Sequence, residues 1–329
     1  MKMDTFDYKG YSEDELLLLC NENATKNNEK CYKYWVSEVY SIGRLIRDYG
    51  FYPQFLPLYV YSNHGVTFDY KDNGIPEHER NNDAFCMFCY DNDNTKYYRK
   101  NTGKRCYTLF SPFVFYRRKM KIQQDADSSG TLVFPAHTTP NISNVSNVSK
   151  FIDDLNELPD SHQPVCVCLH YHDIVNGDYK IYLDNKIPVY TAGSPYDPIF
   201  VERLYSLLKM FKYSASNQIG TYTYYSIEMG IPFFIIGERP RLINHNDMQI
   251  KKGVLELTEH DKYSDMFNKD VLELSKDKIE LCRDKLGLDY GVSRIKMALI
   301  LYSSVLERYW RKIRFNMRKS FVNVIVHIE

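Results

Sequence analysis

The stretch Ser214-Ala-Ser-Asn-Gln-Ile-Gly-Thr-Tyr-Thr-Tyr-Tyr-Ser-Ile-Glu-Met-Gly-Ile-Pro232 decides how the chain is read. It opens on the end of a short apolar strand expected over 212–215. Small hydroxylated residues and a glycine follow, and then a helix expected over 222–229 that Gly230-Ile-Pro232 stops. Another apolar run, 232–236, reads as the next strand. A strand that turns through Ser216, Asn217, Gly220 and Thr221 into a helix offers free N–H groups and the positive end of a helix, the chemistry that favours a phosphate. Glu228 lies two turns on from Thr221, on nearly the same helical face, where a carboxylate could accept from ribose hydroxyls. Neither GxGxxG nor GxxxxGK[ST] is present, which disfavours a dinucleotide oxidoreductase and a P-loop NTPase.

Outward from this stretch the same rhythm repeats. Strands are expected at 131–134, 165–169 and 188–192, with helices at 148–155 and 198–210. The run Val165-Cys-Val-Cys-Leu169 is apolar throughout, as strands of parallel sheets tend to be. Alternating strand and helix implies an α/β fold with a doubly wound parallel sheet. In such sheets ligands bind beyond the carboxyl ends of strands. His137 follows the first of these strands and His170 the second. His172-Asp173 lies just beyond, but neighbouring residues at a strand end point apart.

The first half is less regular. Ser12 and Glu15 form a capping box before Leu16–Leu19. A helix is expected over 34–49, ended by Gly50, and strand-like runs at 56–61, 85–90 and 105–110. His64 sits in an Asn-His-Gly loop after the first of these runs, and Asp69 follows. The polar run 120–130 is the natural division. It suggests a first α/β unit over 1–122, a linker over 123–130, a second unit over 131–292, and an amphipathic helix and tail over 293–329. Asn141-Ile-Ser, Asn144-Val-Ser and Asn147-Val-Ser form a short polar repeat, read as a loop with helix-capping serines.

Composition narrows the function classes. The 329 residues carry 42 Lys+Arg and 42 Asp+Glu, so no whole-chain positive field exists to coat a nucleic acid. Eight cysteines are too sparse for a disulfide scaffold, and reduced thiols are expected. Cys86-Met-Phe-Cys89 lacks a partner CxxC, and Asp91-Asn-Asp93 lies in the first half, so no metal site is expected. Met1–Gly10 shows no leader pattern and no apolar run approaches the length of a bilayer span, so a cytoplasmic protein is expected. The 29 tyrosines are in excess, and those at 222, 224 and 225 stand beside the candidate phosphate loop.

The 214–232 run resembles the donor-site segment of bacterial capsule and lipopolysaccharide glycosyltransferases of GT-B architecture. Ser129-Gly-Thr-Leu-Val-Phe-Pro-Ala-His137 resembles the opening strand of their second domain, and Leu56-Pro-Leu-Tyr-Val-Tyr-Ser-Asn-His64-Gly a segment of their first. The chain is also distantly similar to bacterial sialyltransferases, except that His137 is followed by Thr138 where a His-Pro pair is expected. The resemblance implies two Rossmann-like domains facing a central cleft, with a C-terminal helix packing back on the first. It implies a nucleotide-sugar donor held by His137, His170, Ser214, Ser216, Asn217, Gly220, Thr221, Tyr222 and Glu228. His64 or Asp69 would serve as the base that activates a glycan hydroxyl, with no cofactor and no metal. The acceptor would be a glycan or lipid-linked glycan of capsule, O-antigen or lipooligosaccharide. A sugar epimerase, a glycerol-phosphate transferase or a non-catalytic assembly partner remain as alternatives. The basic residues Arg308, Arg311, Lys312, Arg314, Arg318 and Lys319, interleaved with Trp310 and Ile313, suggest peripheral membrane contact.

Overall fold

A computed structural model of the chain describes residues 8–21, 33–63, 65–66, 69–247 and 252–326, with side chains described as far as 314. Its described strands, in chain order, are β1 (Tyr61–Ser62), β2 (Met87–Cys89), β3 (Cys106–Thr108), β4 (Thr131–Val133), β5 (Ile142–Asn144), β6 (Val165–Cys168), β7 (Val189–Tyr190), β8 (Tyr213–Ser216), β9 (Phe233–Ile235), β10 (Leu242–Asn244) and β11 (Gly253–Val254). Strands β1-β2-β3 make a parallel sheet in that order. The larger sheet is parallel throughout, in the order β7-β6-β4-β8-β9. Its chain order is therefore 3-2-1-4-5, a doubly wound arrangement whose winding reverses between β4 and β8. The expected α/β class with a parallel sheet is present.

Each buried strand follows its composition. All four residues of β6 are buried, and Leu132 at the centre of β4 pairs with Cys166 on one side and Ser214 on the other. A small antiparallel sheet, β11-β10-β5, was not expected from sequence. It pairs the Asn/Ser repeat, read as a loop, with Leu242–Asn244. The helix cap is an asparagine of that repeat and not a serine: Asn147 accepts from Lys150 N–H ahead of helix Val148–Asn156.

The first half departs further from its reading. The helix expected over 34–49 is split into a single turn at Trp35–Ser37 and a helix at Ile42–Tyr49. Between them Tyr40 and Ser41 both take positive φ, 56° and 65°, conformations that cost free energy in non-glycine residues. The second half holds them there. Tyr40 N–H donates to Pro195 O at 2.5 Å, and Ser41 Oγ donates to Pro198 O at 2.9 Å. Tertiary hydrogen bonds thus override a helical hydrophobic pattern. In the run 56–61, Pro57 cannot donate to a ladder, and only Tyr61–Ser62 pairs.

The described residues form three apolar clusters. One is continuous from first half to second, joining Ile42, Phe88, Phe113, Leu132, Tyr225, Phe233 and Met297. The second lies on the far face of the large sheet and the third on the far face of the small one. The chain crosses between halves several times. Tyr11 N–H donates to Val189 O, and Leu16 joins the core beneath the large sheet, so the segment from Tyr8 to Cys20 packs on the second half although it precedes the first. The polar stretch 123–130 is tied down by Gln124 to Phe211 O and by Asp125 N–H to Lys209 O. The final helix, Arg294–Val326, packs back on the first half, where Arg294 donates to Tyr49 O and Tyr302 to Phe51 O.

Candidate functional site

The reversal between β4 and β8 fixes where a ligand crevice should lie. Ala136 N–H, just past β4, donates to Asn217 Oδ1, just past β8, at 2.8 Å. Asn217 is buried and ties the two strand ends together across the switch point. Beyond β4 stands His137, whose ring stacks on that of His170 beyond β6, with centroids 4.1 Å apart. Three consecutive strands of the sheet thus deliver polar groups to one rim.

The histidines are held from both sides. His137 Nδ1 lies 3.0 Å from Thr138 O, so a proton on Nδ1 donates there and Nε2 is presented away from the backbone. His170 Nδ1 accepts from His172 N–H as the cap of helix Tyr171–Asn176, and its Nε2 lies 3.1 Å from Tyr40 Oη. Asp173 accepts from both Thr138 N–H, at 2.9 Å, and Thr138 Oγ1, at 2.8 Å. Burial raises its carboxyl above the usual carboxylate range, opposed by the Thr138 hydrogen bonds and the charge of His137.

The β8 side has a different character. Helix Thr221–Glu228 begins at Gly220, which supplies no side-chain oxygen to its first N–H groups. A Cβ on Gly220 would lie 2.6 Å from the Tyr222 ring, so that ring occupies the space a side chain would need. Ser216 Oγ bonds Tyr222 Oη at 2.8 Å and accepts from Gln218 N–H. Tyr222 also donates to Gln218 O and stacks on Phe134 at 4.7 Å. Its ring braces the loop and is not a free stacking platform. Gln218 Oε1 is buried with no hydrogen-bond partner among the described residues. A buried amide oxygen without a donor is uncommon and suits a ligand N–H or O–H. Across the gap, Val66 N–H donates to Thr221 Oγ1 at 3.1 Å, so the loop after β1 touches the start of this helix.

The residues singled out in the sequence therefore divide. His137, His170, Ser216, Asn217, Gly220, Thr221 and Tyr222 form one connected rim. Ser214 sits inside β8, fully buried, paired in register with Leu132 and Phe233. Glu228 lies at the other end of its helix. Its oxygens accept from Arg117, at 2.6 and 2.7 Å, and from Arg118, at 2.9 Å, and its side chain is 5% exposed. The expected ribose contact is replaced by an ion pair that fastens this helix to helix Pro112–Met120. Asp69 Oδ1 accepts from Lys71 N–H and caps helix Tyr70–Asn73. His64 lies outside the described residues. The Asp91-Asn-Asp93 pattern resolves into an N-cap, with Asp91 accepting from Asn94 N–H ahead of helix Asn92–Thr102. Among the described residues no group of three His, Cys, Asp or Glu could hold a metal ion.

Sequence reasoning overlooked Tyr40, Gln218 and the partnership of Asp173 with Thr138. It also overlooked Glu79, whose carboxylate is buried in the first half against Tyr70 Oη at 2.5 Å. Burial pushes its carboxyl up to about 7 against hydrogen bonds from Tyr70 and Asn63 that oppose the rise. Asn63 immediately precedes the His64 position. No periodicity could mark Glu79, because it lies on a helix of five residues.

No family model matches the sequence, and no curated protein matches it. Among solved structures the chain is similar to S. aureus MnaA in a co-structure with UDP. The identity is 10% and the TM-score 0.35, over 96% of this chain and 82% of that one.

Proposed function

We propose that the protein is a nucleotide-sugar-dependent glycosyltransferase of a cell-surface polysaccharide, binding the nucleotide at the β4–β8 rim and passing the sugar to a glycan hydroxyl presented from the first half. The observation that carries the reading is the convergence of His137, His170, Asn217 and a helix start with no cap side chain on one switch point. A diphosphate or monophosphate would rest against Gly220, whose own N–H is taken by Thr223 Oγ1, and the N–H groups of Thr221 and Tyr222, where the helix dipole favours an anion. His137 would offer Nε2 to the phosphate that leaves, and His170, fixed by Tyr40, would support it. Preorganised donors of this kind stabilise the charge that develops as the glycosidic bond to phosphate breaks, and in this reading they do so without a metal. Gln218 Oε1 would accept from a base or sugar. The acceptor hydroxyl would be deprotonated from the loop after β1, with His64 as base or Asp69 in its place. The contact between Val66 and Thr221 supports this division, since it sets that loop against the start of the phosphate helix.

The test is calorimetric titration with UDP, GDP and CMP. One of the three is expected to bind, with affinity lowered at least ten-fold by His137→Ala and by Gly220→Asp, and unchanged by Asp93→Ala on the exposed face of the first half. Unaltered tight binding in both site variants would overturn the assignment. Turnover of the matching nucleotide sugar to an isomer with no glycan acceptor present would replace transfer by epimerisation at the same rim.

A further inference from the structure

We propose that the exposed face of the C-terminal helix is a docking surface for an anionic lipid bilayer. Helix Arg294–Val326 buries one stripe, Met297, Ile300, Leu301 and Ser304, against the first half. The fit there is tight, for a Cβ on Gly50 would lie 2.8 Å from both Met297 and Leu301. On the opposite stripe Tyr302 reaches back to the first half, donating to Phe51 O at 3.0 Å and meeting the Tyr52 ring edge-on at 5.2 Å. Ile295, Leu299, Tyr302, Leu306, Tyr309, Trp310 and Ile313 are all exposed, Ile295 at 73% and Leu306 at 63%. At 3.6 residues per turn these seven side chains fall within an arc of about 100°. Large apolar groups in one continuous row are not the scattered exposure of an ordinary surface.

Charge identifies what covers the row. Lys312 and Arg314 flank it on either side, with Lys296 further back along the helix. Glu307 is the helix's one acid, and it is already bonded to Arg105 and Arg311. Beside Trp310 an open hollow is lined by Arg105, Glu307, Arg311 and Arg314, three guanidinium groups to one carboxylate. A second copy of the helix would set these cations against their own kind with no acid to pair them. An anionic headgroup layer receives them, and the boundary beneath it accepts Leu306 and Ile313 and the amphipathic rings of Tyr309 and Trp310. No helix among the described residues is long and apolar enough to cross a membrane, so this helix would lie on the surface.

The experiment is co-sedimentation of the full chain with phosphatidylglycerol vesicles and with phosphatidylcholine vesicles, with ultracentrifugation of the protein alone. Binding to the anionic vesicles at least ten-fold tighter than to the neutral ones, weakened by salt, is expected. The double variant Leu306→Glu/Ile313→Glu should lose at least ten-fold in affinity, and Lys312→Glu/Arg314→Glu should do the same, both with unchanged circular dichroism and nucleotide titration. The proposal is overturned if the chain ignores anionic vesicles, or binds both kinds equally. It is equally overturned if the protein alone is a dimer that Leu306→Glu/Ile313→Glu converts to monomer. The nucleotide titration tests the proposed enzyme reading separately.

Discussion

The two parallel sheets put polar residues at the same topological position and use them in opposite ways. Beyond the carboxyl ends of β1, β2 and β3 most polar groups close on one another, with Ser62 Oγ and His78 Nδ1 the buried atoms left without a hydrogen bond among the described residues. Tyr70 N–H donates to Asn94 Oδ1, Asn94 donates to both oxygens of Asp91, Thr95 meets Thr108 at 3.0 Å, and Tyr70 donates to Glu79. Beyond β4, β6 and β8 the groups are held by their neighbours but end on unfilled capacity: a helix start at Gly220 with no cap side chain, where Gly220 N–H is taken up by Thr223 Oγ1, and the buried Gln218 Oε1. The rule that ligands gather at strand ends therefore finds candidates in both sheets, and hydrogen-bond closure separates structural from binding groups. A satisfied network stabilises a fold, whereas an unsatisfied one must find its partner in water or a ligand.

The largest effect expected concerns whether the two halves are separable. Phe88 of β2 and Phe233 of β9 are fully buried, and both belong to the cluster that runs between the sheets. Phe88→Ala and Phe233→Ala should each remove about 3–5 kcal/mol. Because the cluster is continuous, each should lower one shared unfolding transition in urea, seen alike by fluorescence and circular dichroism. Two transitions, only one of them moved by Phe88→Ala, would show instead that the halves hold separate cores.

The closed rim of the first half has a pH signature. Burial raises Glu79 to about 7, against an ordinary value near 4.5. Below pH 4.5 the carboxyl is protonated folded and unfolded, and its neutral form is at no disadvantage. As pH rises towards 7 the unfolded chain releases the proton while the folded chain keeps it, so stability falls. The loss over that window is about 3 kcal/mol, with no further change above it. Glu79→Gln keeps an oxygen for Tyr70 and should flatten that slope, leaving the variant more stable than the parent at pH 8. An unchanged slope in chemical denaturation from pH 5 to 7 would break the contrast drawn for this network.

What the sequence made legible follows from the range of the forces involved. The second half was readable because an apolar strand followed by a polar turn is a local pattern. His137, His170, Ser216, Asn217, Gly220 and Thr221 stand at the rim where strand ends were expected. Glu228 was misplaced because its partner Arg117 is 111 residues away, and nothing near Glu228 announces a guanidinium. Tyr40 and Ser41 broke an expected helix because carbonyls near residue 195 hold them in a strained conformation. The strands of the first sheet were drawn too long, since the run before Tyr61 meets its neighbour through Phe85 N–H to Tyr59 O and bends at Val60 without extending the ladder. The β5–β10 pairing joins segments about 100 residues apart, and no period within either reveals it.

The smallest effect tests the chain start. The Ser12–Glu15 capping box is present as read, with Ser12 Oγ accepting from Glu15 N–H and Glu15 accepting from Ser12 N–H at 2.7 Å. It begins helix Glu13–Leu19, whose Leu16 is fully buried among Val167, Val189 and Ile174 beneath the large sheet. Ser12→Ala should therefore cost about 1 kcal/mol, the usual worth of an N-cap. The loss should appear in the second half, where Leu16 packs, although residue 12 precedes the whole of the first sheet. Hydrogen exchange measures the difference directly: amides of β6 and β7 should lose protection in the variant while those of β2 keep theirs. If instead β2 loosens and β7 does not, the initial helix supports the closed sheet and not the open one.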